Sequence, residues 1–161
     1  MNKLGCSLVQ FNEPYLLVND IEYWETIYEA YKLALSNFKG KKMVNTYFGN
    51  AEPYIEKLSS LPVDIIGIDL YETSLEVLKN IAAYKEVALG IIDVRNSHVE
   101  SVESIVETVQ NVLKTLNGNN IHLCTNGDLE FVPESIARQK INVLCSAQRC
   151  VDSREVKICD L

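Results

Sequence analysis

The sequence predicts an α/β protein with a parallel sheet, built from about five consecutive strand–helix units. Two observations predict this fold class. Short apolar runs rich in β-branched residues recur along the chain, and an amphipathic stretch follows each of them. A helical crossover returns the chain to the same end of the sheet, so successive strands run parallel. Because the runs are apolar throughout, we expect both faces of the sheet to be covered.

Five of these runs are predicted to be strands. The third is continuous and β-branched, which is typical of a strand in the middle of a sheet. The predicted strands are Ser7–Phe11, Met43–Tyr47, Asp64–Asp69, Val87–Ile92 and Ile121–Cys124.

Helical spacing of apolar residues predicts a helix after each strand. The fourth helix is the clearest, because Val102, Ile105 and Val109 share one face and Gly118 follows as a stop. Thr73 and Glu76 form a capping-box pattern ahead of the third helix. The predicted helices are Ile21–Phe38, Pro53–Ser60, a segment that ends near Tyr84, Val102–Leu116 and Pro133–Leu144.

The predicted units occupy most of the chain. Residues 1–147 are predicted to form one domain, and residues 148–161 a C-terminal tail in which Glu155–Cys159 fits a short strand. Two architectures suit five such units: an open doubly wound sheet, or part of a (β/α)8 barrel. A whole barrel takes about 250 residues. The 161 residues of this chain are therefore too few to close one alone.

Composition argues against several classes of function. The net charge is -7 and no run of lysine and arginine follows one face, so we expect no nucleic-acid partner. No apolar run reaches the length of a membrane span, and the N-terminus lacks a signal-peptide pattern. We therefore expect a cytoplasmic protein with no membrane partner. The 5 cysteines are widely spaced and odd in number, which argues against a disulfide framework.

Polar residues follow the predicted strands at their carboxyl ends, where the functional groups of parallel α/β sheets gather. Singly, each is also a common turn former or helix cap, and Arg95 could pair with the carboxylates in a structural ion network. Together, several carboxylates and one arginine predict a pocket for a zwitterionic or polyanionic small molecule. The residues predicted to bind it are Glu13, Tyr47, Asp69, Asp93, Arg95 and Asn126.

The chemistry of these side chains suggests which group of the ligand each of them would bind. Glu13 and Asp69 suit an ammonium group, and Arg95 suits a carboxylate or phosphate. The sequence contains no G-x-G-x-x-G, P-loop or G-x-S-x-G motif, so neither a nucleotide site nor a serine-hydrolase elbow is predicted. His98 is predicted to lie exposed in a turn, and His122 to be packed within a strand.

Five segments resemble four motifs, one of them a pair, of the cobalamin-independent methionine synthase family. Leu8–Pro14 resembles its VQIDEPAL strand, and Thr46–Gly49 followed by Leu61–Asp64 resembles the TYFG…LPVD pair of its N-terminal barrel. Leu89–Asn96 is similar to the LGVVDGRN segment, and Leu123–Pro133 to the PSCSLLHVP segment. The order and spacing of the four motifs agree over nearly the whole chain.

The resemblance implies a partial (β/α)8, TIM-barrel-like fold made of the later strands of such a barrel. It also implies methyl transfer to homocysteine in methionine biosynthesis, with zinc to activate the thiolate and methyltetrahydrofolate as methyl donor. The match is better to the family's N-terminal barrel, which resembles a degenerate copy that helps hold the folate and lacks the metal.

Zinc is implied only by this resemblance. The family's catalytic barrel carries a His-x-Cys pair at the end of the second of these strands, where this chain has Asn45 and Tyr47. The family's acidic ligand falls near Asp69, and its last cysteine three residues after Cys124. Asp69 and Cys124 are therefore the candidate metal ligands, and no complete zinc site is expected.

A chain that matches only the later strands is expected to be a fragment, a half-barrel that pairs with itself or with a partner, or a divergent small protein. Such a half-barrel would expose strand edges and inner-face apolar residues, which predicts a homo-oligomer or a partner subunit that completes the barrel. Two functions stay open: a component of a methionine-synthase-like methyltransferase, or a non-catalytic scaffold that holds a folate-like ligand or a catalytic partner chain. An unrelated doubly wound α/β protein is a third possibility.

Overall fold

The computed structural model of the protein describes residues 5–18, 22–116 and 121–158. Five strands alternate with five helices, as the spacing of apolar residues predicts. The strands are β1 (Leu8–Asn12), β2 (Lys41–Asn45), β3 (Ile65–Asp69), β4 (Glu86–Ile92) and β5 (Ile121–Thr125). The helices are α1 (Trp24–Leu35), α2 (Ile55–Ser60), α3 (Leu78–Ala82), α4 (Val102–Thr115) and α5 (Glu134–Ile158). No helix in the described ranges is both long and apolar enough to cross a membrane.

The strands form one sheet in the order β1-β2-β3-β4-β5, and every neighbouring pair is parallel. The sheet curls rather than lying flat. A hydrogen bond of 2.7 Å from Asn12 Nδ2 to Asp128 Oδ1 links the chain just past β5 to the end of β1, at the other edge of the sheet. The predicted α/β fold with five parallel strands in a partial barrel is confirmed, and the open doubly wound alternative is wrong.

Alternate side chains of the strands face two different apolar layers. One set, which includes Val44, Ile66 and Leu89, packs in the main core beneath the helices. The other set, Met43, Ile65 and Ala88, forms a small buried cluster with Cys124 on the inner face. The prediction that inner-face apolar residues would be exposed is therefore wrong for these three. The curl of the sheet brings the strands around them.

Local capping follows the sequence closely but not at every residue. The Ser101 side chain accepts a hydrogen bond of 3.2 Å from the backbone N–H of Ser104 at the start of α4. Before α3, the cap is Ser74, which accepts from the Glu76 N–H, and not the predicted Thr73. The Thr73 hydroxyl instead accepts a bond of 3.0 Å from the Ala51 N–H and is buried. The stop predicted at Gly118 lies outside the described residues.

The last helix is longer than the sequence predicts. The spacing of apolar residues predicts an end at Leu144, but α5 continues to Ile158. The strand suggested for Glu155–Cys159 is therefore wrong over its described part, and Cys159 lies outside the described residues. The reason is packing: Ala147 and Val151 prolong the apolar face of α5 against the core formed with β4 and α4. The division at residue 147 stays a prediction.

The end of the sheet where the strands begin carries a separate ion cluster. Lys41 Nζ lies 2.6 Å from Glu86 Oε1, and His122 Nε2 lies 2.7 Å from Glu86 Oε2. Hydrogen bonds from Lys41 and then His122 lower the pKa of Glu86. His122 is half-exposed, so its predicted packing within the strand is only partial, whereas His98 is exposed as predicted.

Candidate functional site at the carboxyl ends of the strands

Four of the six residues predicted to bind a ligand meet in one network, which we call the strand-end network: Asp69, Asp93, Arg95 and Asn126. The Asn126 amide donates to Asp69 Oδ1 at 3.2 Å and to Asp93 Oδ1 at 3.0 Å. Arg95 Nε donates to Asp93 Oδ1 at 2.8 Å, and Arg95 Nη1 lies 3.8 Å from Asp69 Oδ2. Parallel strands bring their carboxyl ends to one edge, and this explains why residues far apart in sequence converge here.

Asn126 is the centre of this network. It is buried, and its Oδ1 accepts a bond of 2.9 Å from the Val94 N–H while its amide nitrogen serves both carboxylates. The close approach depends on Gly90, because a Cβ there would lie 2.8 Å from the Ile68 carbonyl oxygen and 2.9 Å from the Asn126 Cα. A glycine in β4 therefore lets the chain after β5 approach β3.

Arg95 lies between two aromatic rings. Its Cζ is 5.8 Å from the ring centroids of both Phe48 and Tyr71, and Nη1 also bonds to Glu72. Phe48 has a φ of 59°, a left-handed conformation that is uncommon outside glycine. Its ring stacks edge-on against Phe131 at 5.5 Å, and both rings are partly exposed. The charged network is thus bordered by an accessible aromatic surface.

The two aspartates of the network differ in their electrostatics. Burial raises the pKa of Asp69, even though bonds from the Tyr71 N–H and the Asn126 amide oppose it. Burial would also raise the pKa of Asp93, but hydrogen bonds from Arg95 and Asn126 outweigh it and hold that pKa below its usual range. The charged form of Asp93 is therefore stabilised in the folded protein, whereas burial disfavours the charged form of Asp69.

Two buried acceptors near the network have no hydrogen-bond partner among the described residues: Asp69 Oδ2 and Asn45 Oδ1. Asn45 is opposite Gly67 in the register of β2 and β3, and Gly67 precedes Asp69 by two residues, so both side chains lie on the same face. A buried acceptor without a donor costs about 1–3 kcal/mol. A ligand that carries hydrogen-bond donors would remove this cost.

Tyr47 belongs to a neighbouring cluster. Its hydroxyl donates to Asp128 Oδ2 at 3.3 Å, and Asn12 bonds to the other oxygen of the same carboxylate. Burial, with the charge of Asp128 next, raises the pKa of Tyr47. Asp128 therefore ties the ends of β1 and β2 to the loop after β5, on one side of the strand-end network.

Glu13 lies outside the strand-end network, although its charge reaches Tyr47 and helps to raise the pKa of that residue. Its backbone N–H donates to the Asn45 carbonyl at 2.9 Å. Its side chain lines a separate pocket against α1 together with Tyr31. Within the described ranges, no hydrogen bond joins the Glu13 carboxylate to the strand-end network. The turn Pro14–Leu17 follows at once, and it carries the chain from the end of β1 toward α1.

A buried ion pair that the sequence patterns did not predict lies next to the strand-end network and contacts Asp93. Lys140 of α5 has a fully buried side chain and lies 3.0 Å from Glu100 Oε2. Glu100 Oε1 accepts from the Asp93 N–H at 2.8 Å and from the Tyr71 hydroxyl at 3.1 Å. The available signal was a lysine on the apolar face of α5, three residues before Val143.

The residues present do not fit a zinc ion held by thiolate. Burial, and then the charge of Asp69, raises the pKa of the Cys124 thiol to about 12, so the thiol is neutral in the structure described. Tyr47, at one of the family's ligand positions, is already bonded to Asp128. In the parts of the chain that the structure describes, no three His, Cys, Asp or Glu side chains come together as a metal site.

Fold and site together define a curled parallel half-barrel whose polar edge carries a charged, partly aromatic surface. The model of the cobalamin-independent synthase N-terminal domain matches residues 1–117 of this sequence. The chain belongs to this family of cobalamin-independent methionine synthases.

Curated relatives and solved structures agree with this assignment. The sequence is 32% identical over 130 residues to a 5-methyltetrahydropteroyltriglutamate–homocysteine methyltransferase of Neisseria meningitidis, a match that covers 80% of this chain and 17% of that protein. It is 28% identical to the enzyme of the same name from Bifidobacterium longum, over 96% of this chain and 23% of the relative. The chain thus spans about a fifth of these relatives.

Among solved structures, a B12-independent methionine synthase from Shewanella sp. W3-18-1, in complex with selenomethionine, superposes with a TM-score of 0.85. The sequences are 22% identical, and the match covers 97% of this chain and 51% of that one. A vitamin-B12-independent methionine synthase described as putative, from Listeria monocytogenes, gives a TM-score of 0.63 at 14% identity, over 91% and 48% of the two chains. At these identities the similarity shows the fold.

Proposed function

We propose that the strand-end network binds a small molecule and that the chain is a component of methyl transfer to homocysteine, without a complete zinc site of its own. Family membership supports the reaction class. The names of the relatives supply the candidate ligands, homocysteine and 5-methyltetrahydropteroyltriglutamate. Because the chain spans only part of those proteins, their activity enters here as a proposal.

The observation that carries the proposal is a pair of buried acceptors that accept no hydrogen bond within the described ranges, Asp69 Oδ2 and Asn45 Oδ1, beside the cationic Arg95. An amino acid has the complementary groups: an ammonium to donate to Asp69 and Asn45, and a carboxylate to accept from Arg95. The same arginine suits the glutamate tail of a folate, and the Phe48 and Phe131 rings suit its flat ring system.

Asp69→Asn tests this assignment by calorimetry. We expect the variant to weaken binding of homocysteine or 5-methyltetrahydropteroyltriglutamate at least tenfold, because the amide cannot neutralise a bound ammonium. Asp64→Asn is the matched control, since Asp64 precedes the opposite end of the same strand and bonds to the Lys42 N–H. Equal affinity in wild type and both variants would contradict the proposed site.

The same variant has an expected effect on stability. Burial raises the pKa of Asp69, so its charged form is disfavoured in the folded state, and the contribution of this residue to stability declines as pH rises above the ordinary range of an aspartate. Asp69→Asn should remove this decline and unfold at a higher urea concentration than wild type at pH 7. Urea titrations from pH 4 to pH 8 would show it, and a variant less stable at pH 7 would argue against a strained carboxylate.

A second candidate is a non-catalytic scaffold that holds a folate-like ligand or a catalytic partner chain. What favours it is that β1 and β5 each have a neighbour on one side only within the described sheet. On this basis we expect a homodimer, or a complex with a partner subunit that completes the barrel. Small-angle scattering at micromolar concentration should give the mass of a dimer for the purified chain, or the mass of a complex once a partner subunit is added. A monomer in both measurements would contradict this second candidate function. A cytoplasmic location remains a prediction.

A further inference from the structure

A second pocket lies away from the strand-end network, between the turn after β1 and helix α1. Its volume is about 510 Å³. Leu16, Ile27 and Ala30 supply apolar surface, and the remaining lining residues are tyrosines and glutamates: Glu13, Tyr15, Glu22, Tyr23 and Tyr31. No lysine or arginine belongs to the described lining, so no side chain of the pocket wall neutralises its two carboxylates.

Tyr31 gives this pocket a second, independent feature. The residue is more than nine-tenths buried, and its hydroxyl has no hydrogen-bond partner of standard geometry among the described residues. Its ring is held edge-on against Phe11 at 5.5 Å, so the hydroxyl cannot swing far to find a partner. Burial raises the pKa of Tyr31 most, and the charge of Glu13 and a hydrogen bond toward its carboxylate raise it further, so the phenol stays neutral. The hydroxyl proton can therefore point toward Glu13, which leaves the lone pairs of the buried phenol oxygen available to accept a hydrogen bond from a ligand.

Tyr15 and Tyr23 add a different kind of contact. These two residues are 65% and 69% exposed, so they border the entrance of the pocket rather than its floor. An aromatic face attracts a cation through its quadrupole, by about 0.5–1 kcal/mol at exposed sites. Carboxylates attract the same cation directly. Aromatic faces, carboxylates and a phenol oxygen without a donor all favour one class of ligand.

We propose that this pocket binds an alkylammonium ion, with the carboxylates of Glu13 and Glu22 facing its charge, Tyr31 accepting one of its N–H bonds, and the apolar wall receiving its chain. The site is distinct from the strand-end network and shares no residue with it; Glu13 is the one residue of the pocket that the sequence predicts to be among the ligand-binding candidates. Because the entrance is open, binding is weak, with a dissociation constant in the millimolar range.

The test is an NMR titration of the full chain with n-butylammonium chloride, with 1-butanol as the neutral probe of the same chain length. We expect saturable shifts of the Tyr15, Tyr23 and Tyr31 resonances with the ammonium and not with the alcohol. The double variant Glu13→Gln/Glu22→Gln should bind roughly tenfold more weakly, because the attraction between opposite charges is gone. Glu56→Gln is the matched control, since Glu56 lines a different surface hollow between α2 and α3.

Several results would overturn the proposal. These are equal binding of the alcohol, unchanged affinity in the double variant, or shifts that map to another surface. Tyr31→Phe adds a test of the buried hydroxyl and should weaken ammonium binding. If that variant fails to fold, the two glutamates still decide the question, because replacing them leaves the buried core intact. The probe lacks a thiol and a carboxylate, so its failure to bind would leave the proposed homocysteine site unaffected.

Discussion

Lys140→Ala is expected to destabilise the protein by about 3–5 kcal/mol, the largest effect predicted for a side chain outside the apolar core. Lys140 is fully buried and its only carboxylate partner in the described structure is Glu100, whose side chain is itself 10% exposed. Removing the ammonium leaves a buried carboxylate with hydrogen bonds from Asp93 N–H and Tyr71 but without a counter-ion. Urea unfolding followed by circular dichroism measures the loss.

The matched control lies on the same helix. Arg138 pairs with Glu134 at 2.7 Å, but the two side chains are 74% and 80% exposed, so Arg138→Ala should cost at most about 1 kcal/mol. Removing both charges of the buried pair, as in Lys140→Met/Glu100→Gln, should recover part of the stability lost in the single variant. If Lys140→Ala and Arg138→Ala have the same midpoint in urea, the buried Lys140–Glu100 pair does not stabilise the protein as proposed.

Asn126→Asp is the second large change, and its effect should depend on pH. The new carboxylate would lie where the amide now donates, 3.2 Å from an oxygen of Asp69 and 3.0 Å from an oxygen of Asp93. Three carboxylates would then share one buried site, and we expect a loss of about 3 kcal/mol or more at pH 7. Repulsion and burial raise the folded-state pKa of the new group above its unfolded value. The variant should therefore be closest to wild type in acid and lose stability as the pH rises.

Asn96→Asp provides the comparison. The Asn96 amide also donates to Asp93, at 2.6 Å, but Asn96 is exposed, so solvent should screen the same substitution there. The difference between the two variants in urea midpoint, followed from pH 4 to pH 8, isolates the contribution of the buried position. A flat pH profile for Asn126→Asp, or an equal loss in both variants, would contradict the description of the network.

The parts of this structure that could be predicted from sequence are those set by local pattern. The alternation of apolar runs with amphipathic stretches predicted the five strands and the helices, because burial of one face is a property of neighbouring residues. The meeting of Asp69, Asp93, Arg95 and Asn126 also followed, since parallel strands end at the same edge. Whether these residues bind a ligand stays a prediction.

What could not be predicted depends on contacts between distant segments. Glu100 and Lys140 are forty positions apart, and only the packing of α5 against β4 and α4 brings them together. Glu13 follows β1 directly, yet the turn after it leads its side chain into the pocket against α1. The length of α5 is a different case, because Val143, Leu144, Ala147, Cys150 and Val151 recur at helical spacing and pack against β4 and α4. The sequence therefore contained a signal for the longer helix that the prediction did not use.

The central claim is that the strand-end network is a ligand site that works without zinc. The most direct test is an amide NMR titration of the chain with homocysteine, and then with 5-methyltetrahydropteroyltriglutamate, in the presence of EDTA. Binding as described predicts saturable shifts at Tyr71, Val94, Arg95 and Asn126, whose amides lie in or beside the network. Absence of shifts with either ligand, or shifts that appear only when zinc replaces the chelator, would contradict it.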